Sequence, residues 1–200
     1  MIAILDYKAG NLTSVKKAFD ALGAATVVTS DPIVARAAKK IVLPGVGHFS
    51  ATATLEDLGL AKGIRDAVRD GVPFLGICVG MQWLLEGSEE APGVAGLGAL
   101  AGSCRRFSHN ELKCPHVGWN SVEVCDGSRL FAGIEERSLF AYFTHSFYVD
   151  AAPATSAIAE YGVRFSAAVE RDNIFGVQFH PEKSGALGLQ VLRNYVELPC

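Results

Sequence analysis

Long basic runs are missing from this sequence. Its 200 residues hold 18 Lys and Arg against 21 Asp and Glu, a formal net charge of −3. Affinity for nucleic acid rests on clustered cations meeting phosphates, and the chain has no such footprint. Missing too is any apolar run of about 20 residues, the length that crosses a bilayer. The opening MIAILDY has no basic segment and no small-residue cleavage site, so a signal peptide is not expected. The five cysteines, Cys78, Cys104, Cys114, Cys125 and Cys200, are odd in number and show no CxxC spacing. That speaks against a disulfide framework and a zinc site, and it fits the reducing cytoplasm. No metal or cofactor is expected. Repeats, low-complexity tracts and long linkers are absent, which leaves one domain over 1–200. Half of the residues are hydrophobic, enough for one good core.

Short apolar runs alternate with helical ones in the first half. IAILDY (2–7), ATVVT (25–29), KIVLPG (40–45) and VPFLGIC (72–78) read as strands. Between them, 11–23 has a helical period that Gly23 closes, Asp31-Pro32 has the form of an N-cap before a first-turn proline, and Thr54 to Asp70 reads as one long helix. MQWLLEG (81–87) reads as the next helix. Strands this apolar, separated by helices, belong to a parallel sheet covered on both faces. After the Gly- and Ala-rich stretch 93–102, strand-like runs follow one another: NSVEVC, SLFAYFTHSFYVD, SAIAEYG, FSAAVERD and NIFGVQFH. Asp126-Gly127 and Asp172-Asn173 mark turns among them. The expected fold is α/β: a doubly wound, mostly parallel sheet flanked by helices, with antiparallel strands added in the C-terminal half. A helix over 185–198 ends the chain.

Gly76-Ile77-Cys78-Val79-Gly80 has the spacing of a nucleophile elbow with Cys in place of Ser. A tight strand-to-helix turn demands small flanking residues. It sets the thiol at the C-terminal edge of the sheet, where open α/β sheets place their sites. The backbone N–H of Val79 then points to where an oxyanion would form. Two readings of Cys78 stand on this stretch alone, a space-filling buried thiol and a nucleophile. A nucleophile needs a base, and the base a group that orients it. In FHPEKS, His180 ends a strand-like run and Glu182 lies two residues on. Pro181 favours an extended segment there, which puts both side chains on one side. Beside an elbow cysteine, the pair favours nucleophile over space-filler. Pro44-Gly45-Val46-Gly47 is a glycine-rich turn at the same edge, able to supply a second oxyanion N–H from Val46 or Gly47, or simply a left-handed turn. His48, His109 and His116 receive no catalytic role, and Arg105-Arg106 reads as solvated surface.

PGVG, GICVGMQ and QFHPEKS, in this order, resemble the class I glutamine amidotransferases and their Cys-His-Glu triad. DYKAGNLTSV, PGVGHF, PHVGWN (115–120), YFTHSFY (142–148) and FHPEKS extend the likeness nearly end to end. Within that class they resemble the glutaminase subunits of imidazole glycerol phosphate synthases, of histidine biosynthesis. The resemblance implies hydrolysis of L-glutamine to glutamate and ammonia through a thioester on Cys78. It implies that Gly47, Gln82, His145, Ser146 and Phe147 bind the substrate. It also implies a heterodimer with a (β/α)8-barrel cyclase that uses the ammonia, faced by Asn11, Trp119, Asn120, Tyr142 and Lys183. Lys8 departs from the glycine common at its position, and Phe147 from the tyrosine. The rival readings are another glutaminase of the class, a free-standing γ-glutamyl cysteine hydrolase and an idle glutamine-binding subunit.

Overall fold

The computed structural model describes residues 1–107, 112–134 and 139–199. His109, Cys200 and Ser138, the first residue of one expected strand run, lie outside these residues. The four apolar runs of the first half form β1 (Ile2–Leu5), β2 (Thr26–Thr29), β3 (Lys40–Gly45) and β4 (Phe74–Cys78). They pair in parallel in the order β2-β1-β3-β4. α1 (Leu12–Ala21) buries Val15, Ala18 and Phe19, the one-face spacing of an amphipathic helix. α2 (Pro32–Arg36) starts as expected: the Asp31 carboxylate accepts the Ile33 N–H at 2.8 Å. Every residue of β1, β3 and β4 is buried. Each such Leu, Ile, Val or Phe contributes about 1.5–3 kcal/mol of hydrophobic stabilisation.

Two expected helices are shorter than the sequence suggests. The stretch 54–70 is not one helix. A 3-10 turn (Phe49–Ala53) runs into α3 (Thr54–Asp57), Gly59 then adopts a left-handed φ of +69°, and α4 (Leu60–Arg69) starts afresh. The expected helix 81–87 is a single turn, α5 (Val79–Gln82). Trp83, Leu84 and Leu85 are all buried, so the chain has no wet face to continue a helix there. The chain enters β5 (Gly87–Ser88) instead, beside β6 (Ser103–Arg106).

The second half supplies β7 (His116–Val124), β8 (Leu139–His145), β10 (Thr155–Glu160), β11 (Arg164–Arg171) and β12 (Ile174–Val177). The run 138–150 is not a single strand. It breaks at Ser146, and β9 (Phe147–Tyr148) joins β6 in a separate small sheet. The large sheet has nine strands, ordered β2-β1-β3-β4-β12-β11-β10-β7-β8. β12 is the junction, parallel to β4 and antiparallel to β11. The sheet also curls. β8 ends the hydrogen-bonded order, yet its Tyr142 carbonyl accepts the His180 N–H at 2.9 Å. The last strand therefore returns to the segment that follows β12. α6 (Gly185–Glu197) closes the described chain and packs on α1.

Candidate functional site

Gly45 of β3 is in register with Cys78 of β4, and Ile77 with Val177 of β12. Sheet pairing thus brings three chain segments to one edge: the turn after β3, the thiol, and the segment 178–183. Cys78 has φ +54° and ψ −109°, a backbone conformation that a non-glycine residue adopts only where its surroundings enforce it. The two glycines of GxCxG are what make the turn possible. A Cβ on Gly76 would lie 2.3 Å from the Gly80 carbonyl oxygen, and one on Gly80 would lie 1.9 Å from that of Leu43. α5 starts at once from Cys78.

The thiol opens onto a cavity of about 250 Å³ lined by Val46, Gly47, Val79, Gln82, Phe147 and His180, among others. His145 and Ser146 are on its wall as well. Every oxyanion and substrate residue expected from the sequence therefore meets at one place. The Cys78 thiol donates to the Thr144 carbonyl at 3.9 Å. His180 Nδ1 pairs with Glu182 Oε1 at 2.9 Å, both side chains fully enclosed. The contact is made across a 3-10 turn (Pro181–Lys183), not an extended segment, with Pro181 as its first residue. Only His180 itself is extended. Burial opposes a charge on its ring. The neighbouring Cys78 thiol and the Glu182 carboxylate outweigh it and push the pKa up to about 10.

His116, given no role by the sequence, supports the cavity wall. Its Nδ1 lies 3.1 Å from His145 Nε2, and His145 Nδ1–H donates to the Phe147 carbonyl at 2.8 Å. The Phe147 carbonyl also accepts Gln82 Nε2 at 3.0 Å, so its contacts here are made by the backbone and need no tyrosine hydroxyl. Burial pushes His116 down to about 4 and His145 to about 3, which keeps both rings neutral. Lys8 has φ +69°, the left-handed region that explains why glycine is common at its position. Its N–H bonds the Asp6 carboxylate at 2.9 Å.

Trp119 and Tyr142 share the outward face of the β7–β8 ribbon, ring centroids 6.2 Å apart, with exposed Val117 and Phe140. Lys183 Nζ sits 5.6 Å from the Tyr142 ring. Asn11 precedes α1, which packs on the 181–183 turn. Asn120 alternates to the other face, where its amide donates to the Glu160 carbonyl at 2.8 Å. Among the described residues no cluster of His, Cys, Asp or Glu is placed to hold a metal ion, and no helix is long and apolar enough to cross a membrane.

A model of the class I glutamine amidotransferase family matches residues 3–197. The chain belongs to the class I glutamine amidotransferases. It is 48% identical to imidazole glycerol phosphate synthase subunit HisH of Methanothermobacter thermautotrophicus, over 99% of this chain and 98% of that protein. The subunit of the same name from Chlorobium luteolum is 47% identical, over 98% of this chain and 100% of its own length. A solved glutamine amidotransferase shares the fold with a TM-score of 0.77 at 18% identity, covering 98% of this chain and 97% of that one. PurLQS from Thermotoga maritima does so at 0.72 and 21%, covering 97% and 96%.

Two residues of this amidotransferase site escaped the sequence reading. Glu90 is the one carboxylate among the described residues on the cavity wall, held by the Phe49 N–H at 2.7 Å. In GSEEAPG it looks like part of a solvated turn, so no local signal marks it. Gln178 lies beneath the thiol, fully buried, and donates to Cys78 Sγ at 3.6 Å. Its place two residues before His180 was the available signal, since i and i+2 share a side of a strand.

Proposed function

We propose that this chain is the glutaminase subunit of an imidazole glycerol phosphate synthase and that the cavity at Cys78 hydrolyses L-glutamine. The observation that carries the reading is the convergence of Cys78, the enclosed His180–Glu182 pair and Gln82 on one cavity. Cys78 Sγ attacks the side-chain carbonyl carbon of glutamine. Negative charge moves to the carbonyl oxygen, which the N–H of Val79 and one from Val46 or Gly47 stabilise. Collapse of this intermediate breaks the C–N bond, and His180 gives the departing nitrogen its proton. The ring's raised pKa suits it to hold that proton near neutral pH. Glu182 fixes the imidazole's orientation. Water, deprotonated by His180, then attacks the thioester and releases glutamate.

Gln82 spends its amide N–H groups on protein partners and has its carbonyl oxygen left for substrate. Glu90 is the counter-charge for the ammonium of the amino-acid end, beside His145, Ser146 and Phe147. Glu90→Gln is expected to raise KM for glutamine about tenfold or more with little change in kcat, since a charged hydrogen bond contributes about 1.5–3 kcal/mol. Steady-state glutaminase kinetics measure this, and an unchanged KM removes Glu90 from the substrate site.

The ammonia goes to a cyclase subunit, which we take to be a (β/α)8 barrel. Bulk water would protonate ammonia and end its nucleophilicity, so a dry passage between subunits is required. The docking face is the apolar patch of Trp119, Tyr142, Val117 and Phe140 with Lys183 and Asn11. Asn120 would serve it from behind the ribbon. The chain acts as one domain in the cytoplasm. The PGVG turn, with Gly47 at φ +91°, is the adjustable side of the oxyanion site. Glutaminase activity is therefore expected to be very slow alone and to rise greatly with the cyclase and its nucleotide ligand. Assays with and without that subunit decide this. High basal activity that the cyclase leaves unchanged would instead fit a free-standing hydrolase.

A further inference from the structure

Gln178 belongs to none of the roles above, and its chemistry is fixed from outside. The Phe147 carbonyl can only accept a hydrogen bond, so Gln82, 3.0 Å away, must present its NH2 group there. The same nitrogen lies 3.2 Å from the Gln178 side chain, which must then present its oxygen. That leaves one orientation for the Gln178 amide: its own NH2 faces Cys78 Sγ at 3.6 Å. Flipping the amide would set two NH2 groups face to face and turn a carbonyl oxygen toward the attacking sulfur. Both glutamines are buried, so water does not relieve such a mismatch.

We propose that Gln178 is a further catalytic residue, an oriented N–H donor to the Cys78 sulfur that favours its thiolate and aims it at the substrate carbonyl. A hydrogen bond to a charged acceptor is stronger than one to a neutral group, so the contact strengthens as the thiol loses its proton. The thiol proton is directed at the Thr144 carbonyl, leaving a sulfur lone pair to accept from Gln178. The amide takes no part in covalent chemistry and is unchanged through the cycle. His145 holds the Phe147 carbonyl from its other side and so fixes the start of this chain of bonds.

The catalytic meaning rests on the glutaminase reading, but the test reads the thiol without glutamine. Full-length protein is treated with iodoacetamide across a pH series, and alkylation at Cys78 is followed by peptide mass spectrometry. Gln178→Met keeps the length of the side chain and removes the donor. It is expected to slow Cys78 alkylation near pH 7 by roughly fivefold and to move the rate profile to higher pH. Gln178→Glu, of the same shape but acceptor only, should slow it further. In the assembled synthase, kcat for glutamine should fall in both variants with KM little changed. Near-UV circular dichroism and ammonium-driven synthesis report the fold. A folded Gln178→Met with the wild-type alkylation profile overturns the proposal. If that variant does not fold, Gln178→Glu is read the same way, and failure of both to fold makes Gln178 structural and also overturns it. A wild-type protein without glutaminase activity in the complex would overturn the functional reading alone.

Discussion

Replacing Cys78 with alanine is expected to abolish glutamine-driven synthesis in the complex with the cyclase and to leave ammonium-driven synthesis intact. Loss of the nucleophile from a triad costs at least about 10⁴-fold, because the oxyanion donors and substrate contacts cannot form the thioester by themselves. The fold should tolerate the change. Alanine keeps the Cβ, so the positive φ at this position is no worse than before, and only a weak thiol contact to Thr144 is lost. The expected change in stability is within about 1 kcal/mol. Rates with glutamine and with an ammonium salt, measured on the same preparation, separate the outcomes. If ammonium-driven synthesis disappears too, the thiol has a structural duty beyond its chemistry.

The second large effect concerns Gly80. A methyl group there would press on the Leu43 carbonyl oxygen at 1.9 Å and the Leu43 carbonyl carbon at 3.0 Å. Both belong to the backbone of β3, which is locked between β1 and β4. Neither can yield without breaking the pairing that positions the thiol. Gly80→Ala is expected to lose about 3 kcal/mol or more, at the upper end of overpacking costs. That is a fall in Tm of about 6–12 °C for a chain of this size. Gly93→Ala is the control, because nothing lies within 4 Å of its added Cβ and its φ is ordinary. A melting curve for Gly80→Ala that overlays the wild type would mean the elbow is not as tight as described.

Sequence made the parallel half of the fold legible because its strands are buried on both faces and so read as unbroken apolar runs. Asp31-Pro32 and the glycines around Cys78 were equally readable, since each answers a local steric demand. The break at Gly59 was carried by a single glycine between two leucines, and a helical period runs through it undisturbed. The early end of α5 had no local mark. Trp83 to Leu85 turn away because the interior surrounds them, and that is a property of residues far along the chain. The substrate cavity was legible where motif spacing fixed it, at Cys78, His180 and Glu182. Gln178 and Glu90 were not. Gln82 and Gln178 meet across 96 residues of sequence, and only the completed sheet brings their amides together.

The curl that returns β8 to the segment after β12 shortens the route by which the thiol can sense what lies outside. Tyr142 belongs to both worlds. Its ring stands on the outward face beside Trp119 and Lys183, while its carbonyl accepts the His180 N–H and its own N–H bonds Ser184. Two residues further along the same strand, the Thr144 carbonyl receives the Cys78 thiol. Any body that presses on the ribbon thus leans on the backbone that steadies both the base and the nucleophile. Communication from surface to sulfur needs no relay through the interior, because one strand is the wall between them.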